Sequence, residues 1–138
     1  MFYVNKEVDY AVQLVMALAR LPDNSLLSLR AFSEESTISF LFLQKIARKL
    51  RKAGIITSVK GAFGGYTLRA SAGDISMYQI LEAICGPLGF VECLKDNQTC
   101  PQAKGCLSRS VFARINTEMM ASLSHLSVAD MLEELSIQ

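Results

Sequence analysis

The stretch SFLFLQKIARKLRKAGIITSVKGAFGGYTLR, residues 39–69, restricts the possible folds more than any other part of the chain. Its first half places Leu43, Ile46, Ala47 and Leu50 at helical spacing, so one stripe is apolar and the opposite side carries charge. Ser39 is a good N-cap and Gly54 suits the position just beyond a helix end, which predicts a helix over residues 39–53. The period then changes. Ile55 to Lys60 is β-prone, GAFGG is a loop in which Gly64 and Gly65 are expected to take positive φ, and Tyr66 to Leu68 returns as a second strand. A basic helix running straight into a hairpin therefore occupies residues 39–69.

Charge singles out the same region. From Ser36 to Gly73 the chain has seven basic residues (Lys45, Arg48, Lys49, Arg51, Lys52, Lys60, Arg69) and no acidic one. The other seven basic residues share the rest of the chain with all thirteen acidic ones, so a net charge of +1 conceals a strongly positive window. Such an asymmetry is the footprint of an anion-binding face, with an ordinary solvated helix as the alternative.

Two helices are expected ahead of this window. Residues 5–20 place Val8, Ala11, Val12, Val15, Leu18 and Ala19 on one stripe, with Asn5 as N-cap. SLRAFSEES begins a short helix capped by Ser28, and TIS makes a tight connection to the basic helix. Helix, turn, basic helix and hairpin in that order is the winged helix-turn-helix layout. In that layout the basic helix enters the major groove of duplex DNA and the hairpin lies along the neighbouring backbone or minor groove. Ser39, Leu41 and Gln44 open the helix where base edges are met, Gln44 being able to read adenine through its amide. Lys45, Arg48 and Lys49 are expected on phosphates, Lys60 on a phosphate or groove from the wing, and Phe42 in packing.

Downstream, Ser76 caps a helix with Ile80, Ala83 and Ile84 inward. A long helix then carries Leu107, Val111, Ile115, Met119 and Leu123 on one face, followed by a Ser127/Asp130 pair resembling a capping box. The apolar stripe is longer than a small domain readily covers, and in a DNA reader its natural use is a two-fold dimer that presents two recognition helices to two half-sites. The overall expectation is a mainly α fold with a small β-hairpin: a winged helix-turn-helix domain over residues 1–84, a cysteine segment over 85–106, and a dimerisation helix with a C-terminal segment over 107–138.

Three cysteines lie in the polar stretch CLKDNQTCPQAKGC with the spacing C-x6-C-x5-C. Thiolates are soft ligands for iron–sulfur clusters and zinc. Structural zinc sites carry at least one tight pair of cysteines, and this stretch has none, whereas longer spacers suit the separated irons of a cluster. A thiol redox switch without a metal and a zinc site remain the alternatives. Gly105 and Pro101 shape the stretch, and Lys95 and Lys104 offset its negative charge. Cys85, at the end of an apolar helix, reads as a buried inert thiol, and His125 as a solvent or packing residue.

KEVDYAVQLVMALA, ISFLFLQKIARKLRKAGIITSVKGAFGGYTL and the spaced cysteines before a long helix resemble the IscR/NsrR/RirA family of winged-helix regulators, the Rrf-two type. The likeness runs over nearly the whole chain, and SVKGAFGGYTL, similar to the family's wing, is its most specific part. It implies a homodimeric transcriptional regulator, a repressor or an activator, whose affinity for DNA depends on an iron–sulfur cluster held by Cys93, Cys100 and Cys106. The IscR branch adds a histidine three residues after the last cysteine; Arg109 stands there and cannot ligate iron. The NsrR branch uses an aspartate of the partner subunit, and Asp9 occupies the matching place, although a first-turn acid is also what a helix dipole favours. Glu92 is a further oxygen donor, and the RirA branch leaves the position without a side chain. The departure at Arg109 favours 4Fe-4S over 2Fe-2S, with nitric oxide, redox state or iron as the signal. A thiol-based or small-molecule-responsive regulator on the same scaffold is the alternative.

Other classes fit poorly. The sequence has one histidine, no nucleotide loop and no nucleophile constellation, so an enzyme is not expected. No apolar run approaches the ~18 residues of a membrane span, and acidic residues interrupt the N-terminal stretch where a signal peptide would be apolar, so a cytoplasmic protein with reduced thiols is expected.

Overall fold

The computed structural model describes residues 4–91, 94 and 105–137. Three helices come first: α1 (Lys6–Ala19), α2 (Leu29–Ser36) and α3 (Phe40–Lys52). An antiparallel hairpin follows, β1 (Ile56–Val59) with β2 (Gly65–Leu68), in the register Ile56 to Leu68 and Val59 to Gly65. After a short 3-10 turn, α4 (Met77–Cys85), α5 (Arg109–His125) and α6 (Val128–Ile137) complete the described elements. Helix-turn-helix plus wing is the observed order, and the mainly α winged-helix expectation holds.

Local chemistry sets the boundaries. The Asn5 side chain accepts from the Val8 amide at 2.9 Å, and Ser28 and Ser39 cap α2 and α3 in the same way. Ser76 and Gln79 form a reciprocal capping box at α4, and Ser127 and Asp130 another at α6. At the far end of α3, Gly54 takes φ 79°. Its amide bonds the Arg51 carbonyl at 3.0 Å and the Ile55 amide bonds the Leu50 carbonyl at 3.0 Å. This is a full Schellman stop, and it turns the chain into β1 within two residues.

The core lies where α1, α3 and α4 meet. Leu43, Ile46, Ala47 and Leu50 are buried as their spacing predicts, and burying each of the larger three contributes roughly 1.5–3 kcal/mol. Two stripes differ from expectation. On α1 the fully buried residues include Leu14, while Val12 and Ala19 are only partly covered. On α4, Leu81 is buried rather than Ala83. Both helices are apolar over so wide an arc that spacing alone leaves the centre of the stripe open.

The wing glycines are a second correction. Gly64 and Gly65 do not take positive φ; Gly61 does, at φ 123°. The pair is needed for close approach instead. A Cβ on Gly64 would collide with the Val59 carbonyl oxygen, and one on Gly65 would lie 2.7 Å from the Leu27 carbonyl oxygen. The latter crowding arises because Leu27 and Tyr66 pair as a bridge, with both amides bonded at 2.9 Å, which ties the wing to the strand-like stretch before α2.

The C-terminal elements divide. α6 folds back so that Val128 and Met131 join the main core, and its Val128 amide bonds the Ile75 carbonyl at 2.8 Å. Through α6, residues 128–137 share the core of the winged domain. α5 has no buried residue, although Met120 and Leu123 rest against the core from its second half. Its first half stands off: Val111 and Ile115 are exposed, and Leu107, placed just ahead of the helix rather than in it, is 97% exposed. The Phe90 amide donates to Asn116 at 2.7 Å and the Phe90 and Phe112 rings meet at 5.8 Å, which fastens the chain after α4 to α5.

Candidate nucleic-acid interface and cysteine segment

The outer face of α3 follows directly from its buried one. With Leu43, Ile46 and Leu50 inward, helical geometry turns Leu41, Gln44, Lys45 and Arg48 outward, and all four are exposed. Leu41 is 75% exposed. Ser39 is spent on capping, its hydroxyl 3.4 Å from the Phe42 amide. Phe42 packs edge-on against Tyr10 at 5.5 Å, as its packing role requires. An open cleft of about 470 Å³ lies between α1 and the start of α3, with Lys6 and Lys45 on its walls. Lys60 follows β1 and is exposed, and Phe63 at the wing tip is 95% exposed.

Three contacts escaped the sequence. Arg30 of α2 lies over the Phe40 ring at 4.3 Å, and Arg51 reaches Ser58 at 3.3 Å, so α3 is braced against α2 and the wing. The third concerns Lys49, expected on a phosphate. Its Nζ is 2.6 Å from Glu7 Oε1 of α1 and donates to the Ile84 carbonyl of α4 at 3.3 Å. Lys45 Nζ lies 3.7 Å from the same Glu7 oxygen. No spacing rule links Glu7 to residues some forty positions away, so the basic window conceals an acid supplied by another helix.

Of the expected cluster ligands, Cys93 and Cys100 lie outside the described residues, as do Glu92, Lys95, Pro101 and Lys104. Cys106 is half-buried just ahead of α5, its Sγ 3.5 Å from Ser108 Oγ. The hydroxyl and backbone N–H of Ser108 hold its thiol below the ordinary value of 9.0, against a smaller opposing effect of desolvation, with Arg109 helping through its amide and charge. A buried Nη1 of Arg109 has no hydrogen-bond partner among the described residues. The described residues thus supply one soft thiol donor and, three positions on, a cationic guanidinium nitrogen without a partner among them; by themselves they do not form a cluster site. Asp9 is exposed on α1 and accepts from Gln13 at 3.1 Å. Cys85 is exposed at the last position of α4, not buried, because the apolar stripe ends one residue earlier at Ile84. His125 ends α5, its Nδ1 2.7 Å from the Ala121 carbonyl oxygen. Among the described residues no three histidine, cysteine or carboxylate side chains converge.

Comparison with known proteins decides the family. Residues 4–134 match the family described as Rrf2, iron-dependent transcriptional regulator. The chain belongs to the Rrf2 family. It is 31% identical over 128 residues to protein rrf2 of Nitratidesulfovibrio vulgaris, covering 93% of this chain and 85% of that one. It is 27% identical over 125 residues to the HTH-type transcriptional regulator IscR of Vibrio atlanticus, covering 91% and 72%. Among solved structures, CymR, the global cysteine regulator of B. subtilis, superposes with a TM-score of 0.79 at 25% identity, over 97% of this chain and 98% of that one. IscR of T. potens gives 0.76 at 28% identity, over 97% and 88%.

This Rrf2 protein is a transcriptional regulator and not an enzyme, in agreement with the resemblance read from its sequence. The regulator family implies DNA binding, and no helix among the described residues is long and apolar enough to cross a membrane.

Proposed function

We propose that the chain acts in the cytoplasm as a homodimeric repressor that reads an operator of two half-sites through α3 and the wing, under control of an iron–sulfur cluster. The observation that carries the DNA reading is the outer face of α3, where Leu41, Gln44, Lys45 and Arg48 stand exposed in one row on a rigid, fully capped helix. Gln44 reads a base edge and Leu41 meets a thymine methyl, the apolar contact that its exposure leaves open. Lys45, Arg48 and Lys60 neutralise phosphates, and the Ser39-capped end of α3 contributes its own positive dipole end. Lys49 is left out of this set, because Glu7 and Ile84 already hold its ammonium. The exposed Val111 and Ile115 face of α5, with Leu107, provides the dimer contact.

Cys93, Cys100 and Cys106 would hold the cluster, 4Fe-4S in preference to 2Fe-2S, with Asp9 of one subunit as the fourth ligand to its partner's cluster. When bound, the cluster supplies an iron centre that reacts with nitric oxide or oxidants and is lost when iron is scarce. Cys106 offers a thiol whose proton is already loosened, and Arg109 offers a cation to the charge that gathers there. Releasing Asp9 would loosen α1 of one subunit, and α1 packs directly on α3. In this reading residues 1–84 read DNA, 85–106 sense, and 107–138 assemble the dimer.

A second reading rests on the same Cys106 thiol: oxidation of a cysteine with a lowered pKa, without metal, on a scaffold shared with the solved oxidized form of Staphylococcus aureus CymR. One preparation separates the two. Anaerobically purified protein that is coloured and holds about four iron and four sulfide per chain supports the cluster; a colourless protein whose DNA affinity is unchanged by reconstitution excludes it. Fluorescence anisotropy with duplex operator DNA tests the reading head: Arg48→Ala and Lys60→Ala should each lower the slope of log affinity against log salt by about 1. Unchanged slopes in both would refute it.

A further inference from the structure

We infer that Lys49 is a positioning residue for DNA binding: it occupies Glu7, and so leaves Lys45 to a phosphate. The inference rests on the DNA-binding reading above. Glu7 sits in the first turn of α1, where the helix dipole favours its charge, and its side chain is only 19% exposed. A carboxylate so far withdrawn from water needs a cation. Two lysines one helical turn apart on α3 compete for it. Lys49 holds the short, hydrogen-bonded contact at 2.6 Å, and Lys45 makes only a longer ion pair at 3.7 Å.

The competition is biased by a third element. The Lys49 ammonium also donates to the Ile84 carbonyl at 3.3 Å, one of the last carbonyls of α4 and therefore without a partner inside its own helix. Lys49 thus satisfies a carboxylate and a helix C-terminus at once, whereas Lys45 in its place would satisfy only the carboxylate. Lys45 has another neighbour: its Nζ lies 5.8 Å from the Phe42 ring centre, and its side chain is 55% exposed on the outer face of α3. Without Lys49, Glu7 would draw its longer ion pair with Lys45 into a direct hydrogen-bonded one and cancel a charge that the reading face needs. A lysine already paired with a carboxylate displaces fewer counterions from DNA.

The test is a salt titration of duplex affinity for the full-length protein, with folding checked by circular dichroism. Lys49→Met should flatten the slope of log affinity against log salt by about 1, as Lys45→Met does, because Glu7 then captures Lys45. Adding Glu7→Gln to Lys49→Met removes the captor and should restore the wild-type slope. A direct phosphate contact by Lys49 predicts instead that the double variant stays as flat as the single one, and that result overturns the proposal. So does a Lys49→Met slope equal to wild type. If Lys49→Met alone fails to fold, the double variant, which leaves no carboxylate unpaired, decides between the two outcomes. Wild-type protein with no affinity for duplex DNA refutes the DNA reading itself and is distinguishable at the first titration.

Discussion

The basic helix α3 and the long helix α5 are close in length, and they are completed in opposite ways. α3 buries four residues, is capped at both ends, and is braced against α1, α2, α4 and the wing. α5 has no fully buried residue, begins after Ser108 without a side-chain cap, and shows Val111 and Ile115 to solvent. The difference teaches where this fold invests rigidity. On the proposed reading α3 is the reading head, which must keep its angle, and its helix is finished by the chain itself. The other helix is unfinished, as expected of a surface that a second subunit completes.

Core truncation is the strongest test of that contrast. Leu50→Ala removes a fully buried side chain of α3 and should cost about 2–5 kcal/mol, read by urea unfolding. A cost near zero would show that α3 is not the rigid partner of the pair. Next in size, Gly65→Val forces a side chain against the Leu27 carbonyl. It should lower stability by about 1–3 kcal/mol. It should also weaken DNA binding more than its stability cost explains, because the wing loses its tie. Thermal unfolding and anisotropy on one sample check both.

The matched change on α5 should behave differently. Val111→Ser with Ile115→Ser should alter the folding of the isolated chain by no more than about 0.5 kcal/mol, since both sites are exposed. It should nevertheless raise the dimer dissociation constant severalfold in sedimentation equilibrium. A monodisperse dimer unaffected by both changes would place the interface elsewhere. The smallest effect concerns pH. Hydrogen bonds from the Ser127 amide and hydroxyl hold Asp130 below 3.8. Because the folded value is depressed, the contribution of this cap is present above the unfolded value and is lost as pH falls through the folded one. The denaturant stability of Asp130→Asn should therefore match the wild type's pH dependence above pH 3.8 and fall less than the wild type's as pH is lowered below it.

The sequence was most legible where interactions are short in range. Asn5, Ser28, Ser39 and Ser76 all cap the helices assigned to them, because a cap reaches only two or three residues along the chain. The α3 stripe was equally clear, since charge on one side leaves a single way to bury the other. Legibility failed where a distant element decides. Leu27 determines why Gly65 must be a glycine, and Glu7 takes Lys49 away from the outer face. Cys85 does end α4 as its sequence position suggests, but on the exposed side of that last turn rather than in the core. The folding back of α6 through Val128 and Met131 left no signal beyond its capping box.

The Schellman stop at Gly54 has a consequence for how such a regulator changes its targets. Only Ala53, Gly54 and Ile55 separate α3 from β1, and the amides of all three are bonded back to α3, so the interval from Gln44 to Lys60 is a fixed gauge cast into the backbone. Within one half-site the bases can be exchanged for others by altering side chains, but the stride from groove to flanking backbone cannot be lengthened. On the proposed reading, drift in an operator is thus confined to two currencies, the letters under α3 and the gap between half-sites, and the second would be set by the unfinished helix rather than the finished one.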